Sequence, residues 1–167
     1  MLIENDLVLS GGSIKGAFQV GAIVAVLELG FASDFIWGIP VGSLNGSFLC
    51  NESGKQRNGE KGAGWVPIRA SLEFFWKNNV RQPSDALTER SWINVGASAL
   101  FDHFSGLVGS TPLQELVRRT ISVENLRASK IKCKIGAANM YDGTITYADP
   151  SYQDFIEYLV ASSRRRS

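Results

Sequence analysis

The chain has 167 residues, 44% of them hydrophobic, and a formal net charge of +1 from 17 Lys and Arg against 16 Asp and Glu. This length suits one domain with a sizeable core, and the balanced charge argues against nucleic acid as an obligate partner. No apolar run approaches the roughly 20 residues of a membrane span, and the N-terminus has no signal-peptide pattern. Cys50 and Cys133 lie far apart in sequence, so we expect neither a disulfide framework nor a zinc site. We therefore expect a reducing, cytoplasmic setting.

The first predicted unit is a strand, a glycine-rich turn and a helix. An apolar run over residues 5–9 ends at Ser10-Gly11-Gly12, which is typical of a buried parallel strand. Residues 16–29 carry apolar side chains around most of the helical circumference, so we expect a largely buried helix with Gly30 at its C-terminal cap. The free N–H groups of the turn and of the first helical turn favour negative charge at this point.

The same pattern follows directly. Residues 35–38 predict a second buried strand, residues 39–42 a tight turn, and residues 43–50 the start of a second helix. Two such units within about fifty residues indicate parallel α/β units. Residues 51–64 are polar and rich in Gly, Lys and Asn, so we expect a mobile surface loop there.

Three further helices are predicted. Apolar spacing indicates a helix over residues 67–79, with Ile68, Leu72, Phe75 and Trp76 on its inward face. Ser110-Thr111-Pro112 signals the start of a helix that continues to about residue 121. A final helix is expected over residues 152–160. Residues 81–109 have no clear assignment, although 92–104 are apolar enough for a helix or a lid.

A β-hairpin is predicted near the end of the chain. Residues 131–138 are rich in strand-forming residues, and residues 144–148 alternate as a return strand. Asp142-Gly143 lies between them and is a strong hairpin-turn signal.

The first glycine turn is compatible with several kinds of site. A Walker phosphate loop needs Lys-Ser or Lys-Thr after its last glycine, whereas Ala17 follows Gly16. A Rossmann fingerprint needs glycine in place of Ser13 and an acidic residue at the end of the second strand, which instead ends in glycine. In a third interpretation, the amides of Gly11, Gly12 and Ser13 form an oxyanion hole for acyl transfer. A tight turn without a ligand also stays open.

The second turn has the frame of a nucleophile elbow, which is a strand, then Gly-x-Ser-x-Gly, then a helix. Gly38 and Gly42 supply both glycines. The stretches LSGGSIKGAFQVGA, WGIPVGSLNG and STPLQELV together resemble the patatin-like phospholipase family, and KIGAANMYDGTITY and VASS are similar to later motifs of that family. The resemblance implies a three-layer α/β/α domain with a mainly parallel sheet over residues 1–163, incomplete at its C-terminus, followed by a basic tail over residues 164–167.

The resemblance also implies a lipid acyl hydrolase with a Ser-Asp dyad and neither metal nor organic cofactor. The serine attacks an ester carbonyl of a phospholipid or other acyl ester, the aspartate is its base, and the turn of Gly11, Gly12 and Ser13 stabilises the oxyanion. Such a substrate implies peripheral contact with a membrane. His103 lies in none of the motifs, and we expect it to be structural.

Residue 40 departs from the family pattern. The position of the nucleophile is occupied by Pro40, which has neither a hydroxyl nor a backbone N–H. Because proline fixes φ near −65°, we expect the elbow to relax into an ordinary proline-led helix start. Ser43 is predicted to lie one helical turn inward, at a small packing position.

The dyad aspartate is the second departure. In the family its Asp-Gly follows the Ala-Ser-Ser helix and a further strand, whereas this sequence ends at Ser167, and Asp142 belongs by order to the hairpin turn. The resemblance therefore predicts a catalytically silent domain that associates with itself or with a partner through surface left uncovered. A non-catalytic module that binds an anion or acyl group, and a phosphate- or nucleotide-binding α/β protein, are the alternatives.

Overall fold

The computed structural model describes residues 5–12, 16–59, 64–79, 88–89, 108–109, 111–139 and 142–163. The basic tail and the predicted helix or lid over residues 92–104 lie outside these ranges. The described elements are, in chain order, β1 (Asp6–Leu9), α1 (Gly16–Glu28), β2 (Phe35–Gly38), α2 (Val41–Arg57), α3 (Trp65–Asn79), β3 (Thr88–Glu89), β4 (Val108–Gly109), α4 (Thr111–Thr120), α5 (Val123–Ala128), β5 (Lys132–Ala138), β6 (Ile145–Ala148) and α6 (Phe155–Ser163).

The main sheet has four strands in the order β1-β2-β5-β6. The first three are parallel, and β6 pairs with β5 in the antiparallel direction. One row of the register joins Leu9, Gly38, Ile135 and Ala148 across all four strands. The predicted α/β class and mainly parallel sheet are confirmed. The short strands β3 and β4 form a separate antiparallel pair.

Helices α1 and α2 lie on the same face of the sheet. The chain proceeds from β1 to β2 to β5 in one direction, and right-handed crossovers then place both connecting helices on one side. The side chains on that face are buried, as Leu9, Ile36 and Ile135 illustrate. A second helical layer on the other face is not among the described residues and stays a prediction.

The expectation of a largely buried helix α1 is wrong. Val20, Ile23 and Leu27 are buried along one stripe, whereas Phe18 is 82% exposed. The helix contacts α2 and α3 on one side, whereas Phe18, Ala22 and Ala25 remain exposed. The apolar residues around this helix therefore predicted more burial than the structure shows.

Residues 51–57 of the polar stretch predicted to be a loop are instead the second half of α2. The helix continues to Arg57, and every residue from Val41 to Gly54 is buried. Polar side chains inside a protein need hydrogen-bond partners. Here the partners come from segments remote in sequence, which is why the local composition was misleading.

Asn51 and Glu52 show how α2 tolerates burial. Oδ1 of Asn51 accepts a hydrogen bond of 2.9 Å from the backbone N–H of Ser122, and its Nδ2 lies 3.4 Å from the carbonyl oxygen of Thr120. The carboxylate of Glu52 pairs with the ammonium of Lys55 at 2.8 Å. The two bonds of Asn51 join α2 to the end of α4 and to the segment that follows it.

The helix α5 was not predicted, whereas α3 and α4 were. In α3 the predicted inward face is buried, and it consists of Ile68, Leu72, Phe75 and Trp76. The last helix begins at Phe155, three residues after the predicted start, and continues to Ser163. The hairpin is confirmed, with Gly143 at φ 73° in its turn. None of the described helices is long and apolar enough to cross a lipid bilayer.

The two cysteines lie side by side although 83 positions separate Cys50 from Cys133 in the sequence. Both are buried free thiols that join α2 to β5. Burial raises the pKa of the Cys50 thiol well above its usual value, and the hydrogen bond with Cys133 raises it further. The protonated thiol is therefore the form that packs in this core.

We expect Gly54→Ala to destabilise the fold, because a Cβ at this position would overlap the backbone of Asn125 in α5. The overlap is with backbone atoms, which cannot rotate away, and overpacking of this kind costs about 1–3 kcal/mol. Gly21→Ala is the matched control, since Gly21 is an exposed residue of α1 with open space around it. The control should stabilise the helix by about 0.5–1 kcal/mol. Urea unfolding of both variants tests the pair, and equal effects would contradict the described contact of α2 with α5.

Candidate functional site

The two predicted turns meet at one edge of the sheet. Gly11 and Gly12 follow β1 and Pro40 follows β2, and the carboxyl ends of parallel neighbours lie at the same edge. The N–H of Ile39 donates a hydrogen bond of 3.1 Å to the carbonyl oxygen of Leu9. A Cβ on Gly11 would lie 3.1 Å from Cδ of Pro40, so the two turns are in contact. Ser13 lies outside the described residues.

Gly38 and Gly42 allow α2 to begin directly on the sheet. A Cβ on Gly38 would lie 2.5 Å from the carbonyl oxygen of Gly42 and 2.5 Å from the nitrogen of Ser43. A Cβ on Gly42 would overlap the carbonyl group of Leu9 at the end of β1. Real Cβ atoms do not approach backbone atoms this closely, so each position excludes every side chain.

The expected relaxation of the elbow at Pro40 is wrong. Pro40 is not the first residue of an ordinary helical turn; it precedes α2 as the cap residue, with φ 6° and ψ −95°. Its carbonyl oxygen accepts a hydrogen bond of 3.0 Å from the N–H of Ser43. The flanking contacts of Gly38 and Gly42 fix where β2 ends and where α2 begins. Pro40 therefore takes the backbone that joins these two points.

The hydroxyl of Ser43 faces the core. Ser43 is fully buried, and its Oγ lies 2.8 Å from the carbonyl oxygen of Gly38 and 2.8 Å from Oγ of Ser162. Oγ of Ser162 in turn donates to the carbonyl oxygen of Gly136 at 2.6 Å. This chain of hydrogen bonds fastens the start of α2 to α6 and β5. It agrees with the small packing position that the sequence predicted for Ser43.

A buried polar network supports the first glycine turn from behind. Asn45 is fully buried; its Nδ2 donates to Oε1 of Gln19 at 2.8 Å, and its Oδ1 accepts from Nε1 of Trp76 at 2.8 Å. Nε2 of Gln19 then donates to the carbonyl oxygen of Ser10 at 3.0 Å, next to Gly11. The network thus connects α1, α2 and α3 to the turn.

Sequence reasoning missed this network. The available signal was a carboxamide, Asn45, within a run of small and apolar residues at the start of a helix. A buried amide requires partners, but nothing local identifies Gln19 or Trp76, which lie 26 and 31 residues away.

Asp142 is not part of this arrangement. Its Oδ1 accepts hydrogen bonds from the hydroxyl of Thr144 at 2.7 Å and from the backbone N–H of Thr144 at 2.9 Å. These two bonds, the hydroxyl first, lower the pKa of the exposed Asp142 carboxyl from its ordinary value. The residue closes the β5–β6 turn, as its order in the chain predicted. His103 lies outside the described residues.

The arrangement at the sheet edge is built from backbone rather than from charged side chains. Within the ranges that the structure describes, no three His, Cys, Asp or Glu residues are grouped so that they could hold a metal ion. Residue 40 offers no hydroxyl where the two turns meet. Among the described residues where the two turns meet, Pro40 presents an apolar ring and the glycine turns present backbone dipoles.

This chain is similar in sequence to known proteins. A sequence model of patatin-like phospholipase matches residues 7–164. The neuropathy target esterases sws of Drosophila melanogaster and Drosophila persimilis are 39% identical over 46 residues, which is 28% of this chain and 3% of theirs. The chain therefore spans only a small part of the curated relatives it matches. A crystal structure of VipD from Legionella pneumophila aligns with 93% of this chain and 41% of its own, with a TM-score of 0.45 and 11% identity.

We expect Trp76→Phe to destabilise the protein by about 1–3 kcal/mol, because it leaves the buried Oδ1 of Asn45 without its donor while keeping an aromatic ring. Trp37→Phe is the matched control. Nε1 of Trp37 donates to the carboxylate of Asp6 at 3.2 Å in an exposed position, where water replaces the donor. The control should change stability by about 0.5 kcal/mol or less. Urea unfolding measures both, and equal losses would contradict a structural role for the network.

Proposed function

Because the chain belongs to the patatin-like phospholipase family, we propose that it is a lipid acyl hydrolase domain that hydrolyses no ester in its present form. The observation that carries the proposal is Pro40. It lies between β2 and α2, against Gly11, where a family nucleophile would have its hydroxyl. Proline has no group that can attack a carbonyl carbon.

Ser43 does not supply the missing nucleophile. Ser43 is the nearest hydroxyl along the chain, and its Oγ is held in the core between Gly38 and Ser162. To attack a substrate it would have to break these contacts and leave the buried face of α2. Asp142-Gly143 is the one Asp-Gly pair in residues 1–167, and Asp142 is engaged within the hairpin turn.

The remaining machinery is suited to binding rather than to turnover. We propose that the amides of Gly11, Gly12 and Ser13 face the carbonyl oxygen of a lipid or acyl ester, as an oxyanion hole does. The same turn in a non-catalytic module would bind an anion or an acyl carbonyl. Family membership favours the lipid over a nucleotide, and titration with a lipid phosphonate and with nucleotides separates the two. The cytoplasmic setting is part of this proposal.

We expect the unaltered chain to hydrolyse no short-chain nitrophenyl ester above background and to leave residues 38–46 unlabelled by a fluorophosphonate. Pro40→Ser should gain trace activity at most, because Asp142, in the Asp-Gly pair of this sequence, is engaged within the hairpin turn. Loss of catalytic partners typically leaves about 10³–10⁴-fold acceleration over water.

Pro40→Ala is the matched control for that measurement, since it also frees the backbone but adds no hydroxyl. Mass spectrometry of the labelled peptide identifies the modified residue. Labelling of Ser43 in the unaltered chain would overturn the proposal, and turnover by Pro40→Ser at the rate of an intact family member would show that a base is present.

We also propose that the chain associates with a second copy of itself through the sheet face opposite α2. This open face presents Val8 at 73% exposure together with Phe35 and Trp37. Nζ of Lys132 lies 5.5 Å above the ring of Phe35, and Nζ of Lys134 lies 5.2 Å above that of Trp37.

Charge supports a second copy as the occupant. In a two-fold contact the same surface meets itself, so a surface of one sign would repel its partner. The open face carries both signs, because the carboxylate of Asp6 lies in the same row as Phe35 and Lys132. Lysines of one copy can therefore meet the carboxylate or aromatic rings of the other.

Sedimentation velocity at tens of micromolar should show a dimer for the unaltered chain and a monomer for Val8→Lys. Phe18→Lys is the matched control, since Phe18 is equally exposed but lies on α1. It should remain a dimer. A monodisperse monomer of the unaltered chain would refute self-association, and flotation of that monomer with anionic vesicles would assign the open face to a membrane surface instead.

A further inference from the structure

A cavity lies between α2, α3 and the end of α4, away from the glycine turns. Its volume is about 580 Å³, within the range of about 300–1,000 Å³ typical of small-molecule sites. Phe48 is the lining residue of α2 nearest to Pro40, and the rise of the helix separates the two by about 12 Å. The cavity is therefore distinct from the site at the sheet edge.

One wall of this cavity is aromatic. Phe48 and Phe75 are buried, with ring centroids 4.7 Å apart, and they form its apolar floor. Phe74 stands at the mouth with 67% of its surface exposed. An exposed ring that continues a buried aromatic floor offers an apolar chain a continuous contact surface.

The other wall is charged, and its charges do not cancel. Glu52 is 1% exposed, and its carboxylate pairs with the ammonium of Lys55 at 2.8 Å. Nη2 of Arg119 donates to Oδ1 of Asn79 at 3.3 Å, which is a neutral partner. Among the residues that the structure describes, the Arg119 guanidinium forms no ion pair, so the cavity has one cation in excess.

We propose that this cavity binds an amphipathic anion, namely a single apolar chain ending in a carboxylate. The carboxylate meets the guanidinium of Arg119, whose planar fork suits two parallel hydrogen bonds to carboxylate oxygens. The apolar chain lies along Phe74 towards the floor formed by Phe48 and Phe75. The proposal does not depend on catalysis at the sheet edge.

Arg118 and Arg119 provide a matched pair for the test. Arg118 points to α6, where Nη2 contacts the carboxylate of Glu157 at 2.9 Å, and it does not line the cavity. Calorimetry and NMR of the full chain measure octanoate binding, which should saturate in the unaltered protein. Arg119→Gln should weaken the binding about tenfold or more, the loss expected for a charge-assisted hydrogen bond. Arg118→Gln should change it less than about twofold.

Octylammonium and octanol test the sign of the head group and should bind more weakly than octanoate. Phe74→Ala tests the apolar contact, with Phe18→Ala on α1 as its control, and both residues are exposed enough to be changed without disturbing the core. Equal binding of octanoate and octylammonium, or equal effects of the two arginine variants, would overturn the proposal. Octanoate binding that perturbs only Gly11, Gly12 and Ile39 would also overturn it and assign the anion to the sheet edge.

Discussion

The start of α2 rests directly on the carboxyl ends of β1 and β2, and this contact requires that residues 38 and 42 have no side chain. Gly42 lies against the carbonyl group of Leu9, and Gly38 lies against the backbone of Gly42 and Ser43. These contacts set the distance and direction with which the chain leaves the sheet. The position of residue 40, the approach of Gly11 and the path of α2 through the core all follow from them.

Helix α2 is central to the molecule because every other layer meets it. It packs on β1, β2 and β5 along one side and on α3, α5 and α6 along the others. The second half of this helix is polar by sequence and buried in the fold. Along the whole helix, Ser43, Asn45 and Asn51 each hydrogen-bond to a different remote segment. Such bonds add about 1 kcal/mol each in net stability, but leaving one unmade costs more. These hydrogen bonds therefore act mainly by favouring the packing arrangement that satisfies the buried polar groups, because other arrangements leave such groups unpaired.

The frame that positions a catalytic residue and the residue itself are separable in this protein. Pro40 takes a backbone set by Gly38 and Gly42 rather than the one that a free proline prefers. The fold is therefore kept while the chemistry at residue 40 is changed. Under the proposed function, the frame follows from family membership, and the side chain at residue 40 decides whether the family reaction is available.

The sequence by itself determined the two strand–turn–helix units, the inward face of α3 and the hairpin turn at Asp142-Gly143. It also determined that residue 40 has no hydroxyl. These features depend on glycine positions and on apolar periodicity within a few residues, which a local pattern contains.

Only the tertiary structure decided how far α2 continues and how much of α1 is buried. The polar residues 51–57 are helical because they contact segments about seventy residues away in the sequence. Ser122 hydrogen-bonds to this part of the helix, and Asn125 packs against it. The tertiary structure also decided the contact between Gln19 and Asn45 behind the glycine turn, and the backbone conformation of Pro40. Local propensity favours one conformation at each of these places, and contacts between segments distant in sequence favour another and prevail.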